Sequence, residues 1–162
     1  MTIDQLQTPA ILLDLDVMEQ NLSRFADGAK AYGKQLWPMM KTHKSTILAK
    51  MQLQYGATGA LWGTLDAAET LRDAGFQDNM YAYPVSTAVS VDRVMALAKS
   101  CPNFIIRLDG TDAAEMLEQH AAQANVSVQY TIIVDSGLHR FGVPPTDTVK
   151  LLKALSVYPH LI

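Results

Sequence analysis

The chain has 162 residues and a formal net charge of −3, enough for one domain with a substantial core. Hydrophobic residues make up 49% and charged residues 18%, an ordinary globular composition. No basic stripe gives the electrostatic footprint of a nucleic-acid binder, and a single cysteine, Cys101, excludes an internal disulfide framework or a cysteine-rich zinc site.

The N-terminus, Met1-Thr2-Ile3-Asp4-Gln5, lacks the basic start and apolar core of a signal peptide. No apolar run approaches the ~18 residues of a membrane span. The expectation is a cytoplasmic protein, with Cys101 as a reduced thiol near a helix end.

Residues 8–14 read as a short extended segment, with Ile11, Leu12 and Leu13 at its centre. Asp14 or Asp16 can then cap a helix through about Tyr32, with Met18, Leu22, Phe25 and Ala29 at helical spacing and Gly33 at its end. Residues 35–40 read as a strand and 45–55 as a helix stopped by Gly56. The alternation repeats: strand 57–62, an alanine-rich helix 65–74, strand 79–83, helix 89–99 and strand 103–108. Helix 111–124, capped by Thr111 or Asp112, leads to the most strand-like segment, 126–134, with Val126, Val128, Tyr130, Ile132 and Val134 at period two. Pro144-Pro145 opens a last helix through about Leu155, and 158–162 reads as the start of another strand.

Such alternation specifies an α/β fold with a parallel sheet and right-handed crossovers. Two architectures satisfy it: an open doubly wound sheet, or part of a (β/α)8 TIM-type barrel. A glycine-rich phosphate fingerprint after the first strand would favour the open sheet, and none is present. A complete barrel takes ~250 residues. Residues 1–162 therefore read as one partial barrel domain of about five β/α units, incomplete because an unpaired buried-type strand edge is avoided in folded proteins.

Two polar clusters carry the candidate chemistry. In Trp37-Pro-Met-Met-Lys-Thr-His-Lys-Ser45, Lys41 stands at the C-terminal end of a strand, where α/β folds place their sites. Partial burial beside Trp37, Met39 and Met40, with the like charge of Lys44, would favour a neutral amine able to attack an aldehyde. A basic loop facing water explains the same residues. In Val134-Asp-Ser-Gly-Leu-His-Arg-Phe-Gly-Val143, Arg140 either offers its donor fork to an anionic oxygen or pairs with Asp135. Trp62 and Tyr83 end strands and either line the mouth or pack in the core. Glu69, Asp112 and Glu115 read as solvated, and the four histidines are too scattered for a metal site.

These residues resemble the fold-type III pyridoxal-phosphate enzymes, the alanine-racemase-like barrels, and within them the D-threonine aldolase and D-serine dehydratase branch. Thr8-Pro-Ala-Ile-Leu-Leu-Asp-Leu-Asp16 is similar to the branch's opening segment. Pro38-Met-Met-Lys-Thr-His-Lys44 is similar to its Arg-Pro-His-x-Lys-Thr-His-Lys pattern, and Val134–Val143 to its Asp-x-Gly-x-x-Arg-x-Gly segment. Leu65-Asp-Ala-Ala-Glu-Thr-Leu-Arg-Asp-Ala-Gly75 is similar to the helix after its second strand.

The resemblance implies that Lys41 links covalently to pyridoxal 5'-phosphate and that Arg140 hydrogen-bonds the cofactor's phenolic oxygen. It implies an enzyme acting at the α-carbon of D-amino acids, foremost an aldolase cleaving D-β-hydroxy amino acids. D-serine dehydratase, a racemase and a non-catalytic pyridoxal-phosphate carrier are the alternatives. It also implies a homodimer at full length, with later barrel strands and a C-terminal β-domain outside residues 1–162. In the aldolase and dehydratase branch that β-domain carries the ligands of a divalent metal, so the resemblance places none in residues 1–162. Trp37 and Met39 depart from the branch's pattern, which has arginine and histidine there. Thr42-His43-Lys44-Ser45 departs from the tyrosine-bearing segment of alanine racemases proper. His139 is expected as an exposed loop residue, and His43 as a possible cap of the next helix.

Overall fold

The computed structural model describes residues 2–162. Ten regular elements follow the alternation read above. They are α1 (Leu15–Ala31), α2 (Thr46–Gln54), β1 (Ala60–Trp62), α3 (Leu65–Asp73), β2 (Asp78–Tyr81), α4 (Ala88–Ser100), β3 (Asn103–Leu108), α5 (Thr111–Ala124), β4 (Gln129–Ile132) and α6 (Thr148–Leu155).

Local chemistry fixes most helix starts. Asp14, Ser45, Thr64 and Thr87 each accept a hydrogen bond from a backbone N–H three residues on, satisfying one of the donors that a helix start leaves free. α5 differs from expectation: Gly110 is its N-cap, and neither Thr111 nor Asp112 provides a side-chain cap. Cys101 lies at the end of α4, where a helix end was expected, and it is buried.

The strands pair in parallel in the order β1-β2-β3-β4. Each expected strand beyond these four is reduced or lost. Residues 36–40 run beside β1: Thr58 N donates to Leu36 O at 2.9 Å, Leu61 N to Pro38 O at 2.9 Å, and Met40 N to Leu61 O at 3.0 Å. Only the Met39–Leu61 bridge counts as sheet, because Pro38 has no N–H to return. At the other edge Val128 pairs with Leu161, and Tyr130 N donates to Ile162 O at 2.9 Å. The strand read at residues 158–162 is thus reduced to one isolated bridge at Leu161. Residues 8–13 are no strand: among the described residues no backbone hydrogen bond ties them to a partner, and Ile11 is fully exposed.

Sequential strand order decides between the two architectures. A doubly wound sheet reverses direction at a switch point and carries helices on both faces. Here the order never reverses, and α3, α4, α5 and α6 contact one another in succession along one face. β3 shows the consequence: Phe104, Ile106 and Leu108 are buried while Ile105 and Arg107 between them are half-exposed. Phe104, Ile106 and Leu108 meet Val91, Val94 and Leu97 of α4 and Ala114, Leu117 and Ala121 of α5 in one core. Each large side chain so buried contributes about 1.5–3 kcal/mol. This is an arc of a barrel, with its helices outside.

Candidate functional site

The first cluster begins where the core ends. Met40 is buried, and the chain turns immediately after it, with Lys44 N donating to Met40 O at 3.1 Å. Lys44 adopts a left-handed backbone, φ 48°, uncommon for a residue with a side chain. His43 holds this turn to the next helix. Its Nδ1 accepts from Ser45 N at 3.1 Å, which leaves Nε2 to carry the proton shared with Gln52 Oε1 at 3.2 Å. Ser45 Oγ then caps α2 through Leu48 N. His43 is not the cap expected of it: Ser45 caps α2, and His43 braces that cap through Ser45 N and Gln52.

Lys41 itself is exposed, so the burial expected from Trp37, Met39 and Met40 is absent among the described residues. Its stem flanks Gly63: a Cβ there would sit 3.6 Å from Lys41 Cβ and Cδ and 3.6 Å from Tyr83 Cε2. Lys41, Lys44, Trp62, Gly63, Asp66 and Tyr83 line a cleft of about 500 Å³ at the C-terminal ends of the first strands. Trp62 is both core and wall. It is 2% exposed, and its Nε1 has no hydrogen-bond partner. Asp66 is already engaged, since Arg93 of α4 bonds it while also gripping Glu69 with Nε and an Nη at 2.7 Å. Those carboxylates, Glu69 first, raise the Arg93 pKa. Glu69 is therefore part of a helix-to-helix clamp rather than a solvated side chain, whereas Asp112 and Glu115 are exposed as expected.

The second cluster is a closed loop. Asp135 N donates to Val143 O at 2.8 Å and Val143 N to Ile133 O at 3.0 Å, joining the loop's two ends. Gly142 (φ 103°) is required there, because a Cβ would fall 3.0 Å from Asp135 N, Ile133 O and Ile133 Cγ2. Inside the loop Asp135 Oδ1 accepts from Gly137 N at 2.9 Å and His139 N at 3.0 Å, and Oδ2 meets His139 Nδ1 at 2.9 Å. These donors, the His139 N–H foremost, hold the Asp135 carboxyl below the usual carboxylate range. His139 keeps its ring exposed, as expected of a loop histidine.

With Asp135 occupied, the alternative of an Asp135–Arg140 ion pair is not realised. The Arg140 guanidinium lies over aromatic faces instead, 4.3 Å from the Phe141 centroid and 5.7 Å from that of Tyr83. Phe141 and Tyr83 meet edge-on with centroids 5.3 Å apart, and Tyr83 meets Tyr81 at 6.2 Å. Tyr83 therefore touches both clusters: it lines the Lys41 cleft and lies beneath the Arg140 guanidinium. Sequence reasoning left Tyr83 open and missed Asp135 as the loop's organiser. The usable signals were a tyrosine two residues past a strand and an aspartate two residues before a glycine. His120 and His160 pair with Asp92 and Glu118 far from this mouth, and no group of three metal-type ligands exists among the described residues.

Residues 13–162 match the family model described as alanine racemase, N-terminal domain. The chain belongs to this family. It is the fold-type III pyridoxal-phosphate barrel family, as the motifs suggested. The chain is 32% identical over 151 residues to D-threo-3-hydroxyaspartate dehydratase of Delftia sp. (strain HT23), covering 93% of this chain and 40% of the relative. It is 28% identical over 163 residues to 3-hydroxy-D-aspartate aldolase of Paracoccus denitrificans, covering 97% and 41%. The crystal structure of D-threonine aldolase from Filomicrobium marinum superposes with a TM-score of 0.93 at 28% identity, covering 99% of this chain and 43% of that one. The chain thus spans about two fifths of the length of these relatives, and it corresponds to the N-terminal part of the alanine-racemase-type barrel.

Proposed function

We propose that this chain supplies the lysine-bearing part of a pyridoxal-phosphate enzyme acting at the α-carbon of D-β-hydroxy amino acids. One observation carries the proposal: Tyr83 lines the same cleft as Lys41 and also lies 5.7 Å from the Arg140 guanidinium, so one ring links two motif residues about a hundred apart in sequence. The names of the similar proteins, a hydroxyaspartate dehydratase, a hydroxyaspartate aldolase and a D-threonine aldolase, support the substrate class.

The residues present fit the cofactor. Lys41 lines a cleft of about 500 Å³, inside the roughly 300–1,000 Å³ range of small-ligand sites. Its wall includes an indole whose buried Nε1 has no partner. The Arg140 guanidinium forms no ion pair among the described residues, so its charge is uncompensated. Lys41 would hold the cofactor's aldehyde carbon, and Arg140 its anionic ring oxygen. We assign no residue of this chain to the phosphate. When bound, the cofactor supplies an electron sink for a bond broken at the α-carbon.

The chain's own residues do three things in this reading. The His43 clamp fixes where the Lys41 amine emerges. The Asp135 loop presents Arg140. Arg93 engages the Asp66 carboxylate at the cleft wall, which keeps that charge from drawing Lys41 or Lys44 away.

Aldolase chemistry would release an aldehyde and glycine, and dehydratase chemistry a keto acid and ammonia. Assaying the full natural protein carrying these residues against D-3-hydroxyaspartate, D-threonine and D-serine separates them. We expect turnover of at least one, with an aldolase product pattern. Bound cofactor with no turnover of any of the three would overturn the enzyme reading in favour of a carrier.

A further inference from the structure

Arginine side chains are commonly oriented by acidic partners, which neutralise them and take up their N–H donors. Arg140 is not. The nearest carboxylate in sequence, Asp135, is committed to the N–H groups of Gly137 and His139 and to the His139 ring. Among the described residues the guanidinium is held by π faces alone, at 4.3 Å from the Phe141 centroid and 5.7 Å from that of Tyr83. A cation–π contact restrains a guanidinium without cancelling its charge, and it leaves the N–H edge free. Tyr83 is in turn braced edge-on by Phe141 at 5.3 Å and by Tyr81 at 6.2 Å. Tyr81 is anchored in β2, where it pairs with Trp62 of β1 on one side and Ile106 of β3 on the other.

We infer that Tyr83 is a positioning residue. Its ring sets where the Arg140 guanidinium stands relative to the Lys41 cleft while leaving the charge and donors of Arg140 available to an anionic oxygen. The inference deepens the proposed function and rests on it for the identity of that oxygen. The aromatic support of Arg140 is a property of the protein with or without cofactor.

The test has two arms. In the cofactor-free protein, the NMR resonance of the Arg140 Nε–H reports its place over the rings. It should be shifted upfield by ring currents, remain so in Tyr83→Phe, and move towards the solvent-exposed arginine value in Tyr83→Leu. In the protein loaded with pyridoxal phosphate, the visible absorbance of the lysine-bound cofactor and its pH profile report the cation beside the ring oxygen. Tyr83→Leu should displace that profile in the same direction as Arg140→Met and weaken cofactor binding about two- to fivefold, the size of an exposed cation–π contact. Tyr83→Phe should behave as the parent, and the double variant Tyr83→Leu/Arg140→Met should be no worse than Arg140→Met alone. An Arg140 resonance unchanged in Tyr83→Leu would overturn the inference whatever the cofactor does. So would strictly additive effects in the double variant, or a Tyr83→Phe variant as impaired as Tyr83→Leu. Normal ring-current behaviour with no cofactor on Lys41 would instead sink the proposed function and leave the positioning role of Tyr83 standing.

Discussion

The ring of Trp37 lies directly on the backbone of Gly59: a Cβ at that glycine would fall 2.5 Å from Trp37 Cε2. Trp37 precedes the Lys41 turn and Gly59 precedes β1, so this contact sets how closely residues 36–40 approach the sheet. Gly59→Ala should destabilise the protein by about 1–3 kcal/mol, the cost of overpacking a filled site. Urea unfolding measures it. Replacing Trp37 by leucine in the Gly59→Ala background should recover more than half of the loss, because the clash is with the indole. A Gly59→Ala variant as stable as the parent would show that the indole moves aside freely.

His43 ties the Lys41 turn to α2 through Ser45 N and Gln52 Oε1. His43→Ala should cost about 1 kcal/mol and raise amide exchange at Ser45. His43→Asn should retain much of the protection, since an asparagine carbonyl reaches the N–H two residues on in an Asx-turn. Equal exchange rates at Ser45 in the parent and His43→Ala would mean that the clamp does not hold the turn.

Asp135 gives the loop a pH dependence of defined sign. Its carboxyl is held below the usual range by the His139 and Gly137 N–H groups, so between its folded and unfolded pKa values the unfolded chain binds more protons. The stabilisation is present above the ordinary carboxylate pKa of about 4 and is lost as pH falls through the depressed folded value. The stability difference between the parent and Asp135→Asn should therefore be flat above about pH 5 and shrink below about pH 4. A difference that grows towards acid would reverse the assignment.

Much of this arrangement is legible in the sequence, because local signals repeat. Thr64 before an alanine-rich run and alternation in Phe104, Ile106 and Leu108 specify a capped helix and a one-faced strand by local rules. The sequence favoured the barrel over an open sheet through the missing glycine-rich fingerprint, not through any reading of strand order. The strand order needed to decide between them is a long-range property. Residues 8–13 have the composition of a strand but no neighbour to pair with, and residues 36–40 have the neighbour but lose a donor at Pro38. Lys41 and Arg140 stand out as motif residues, yet Tyr83 between them does not. An aromatic at a strand end reads alike whether it packs in the core or carries a cation.

Lys41 as the cofactor-bearing amine is the claim on which the rest depends. Incubating the full natural protein with pyridoxal phosphate, reducing with borohydride and mapping the labelled peptide tests it directly. The label should fall on Lys41 and vanish in Lys41→Ala, while Lys44→Ala should still be labelled. Label on Lys44 instead, or undiminished labelling of Lys41→Ala, would contradict the account.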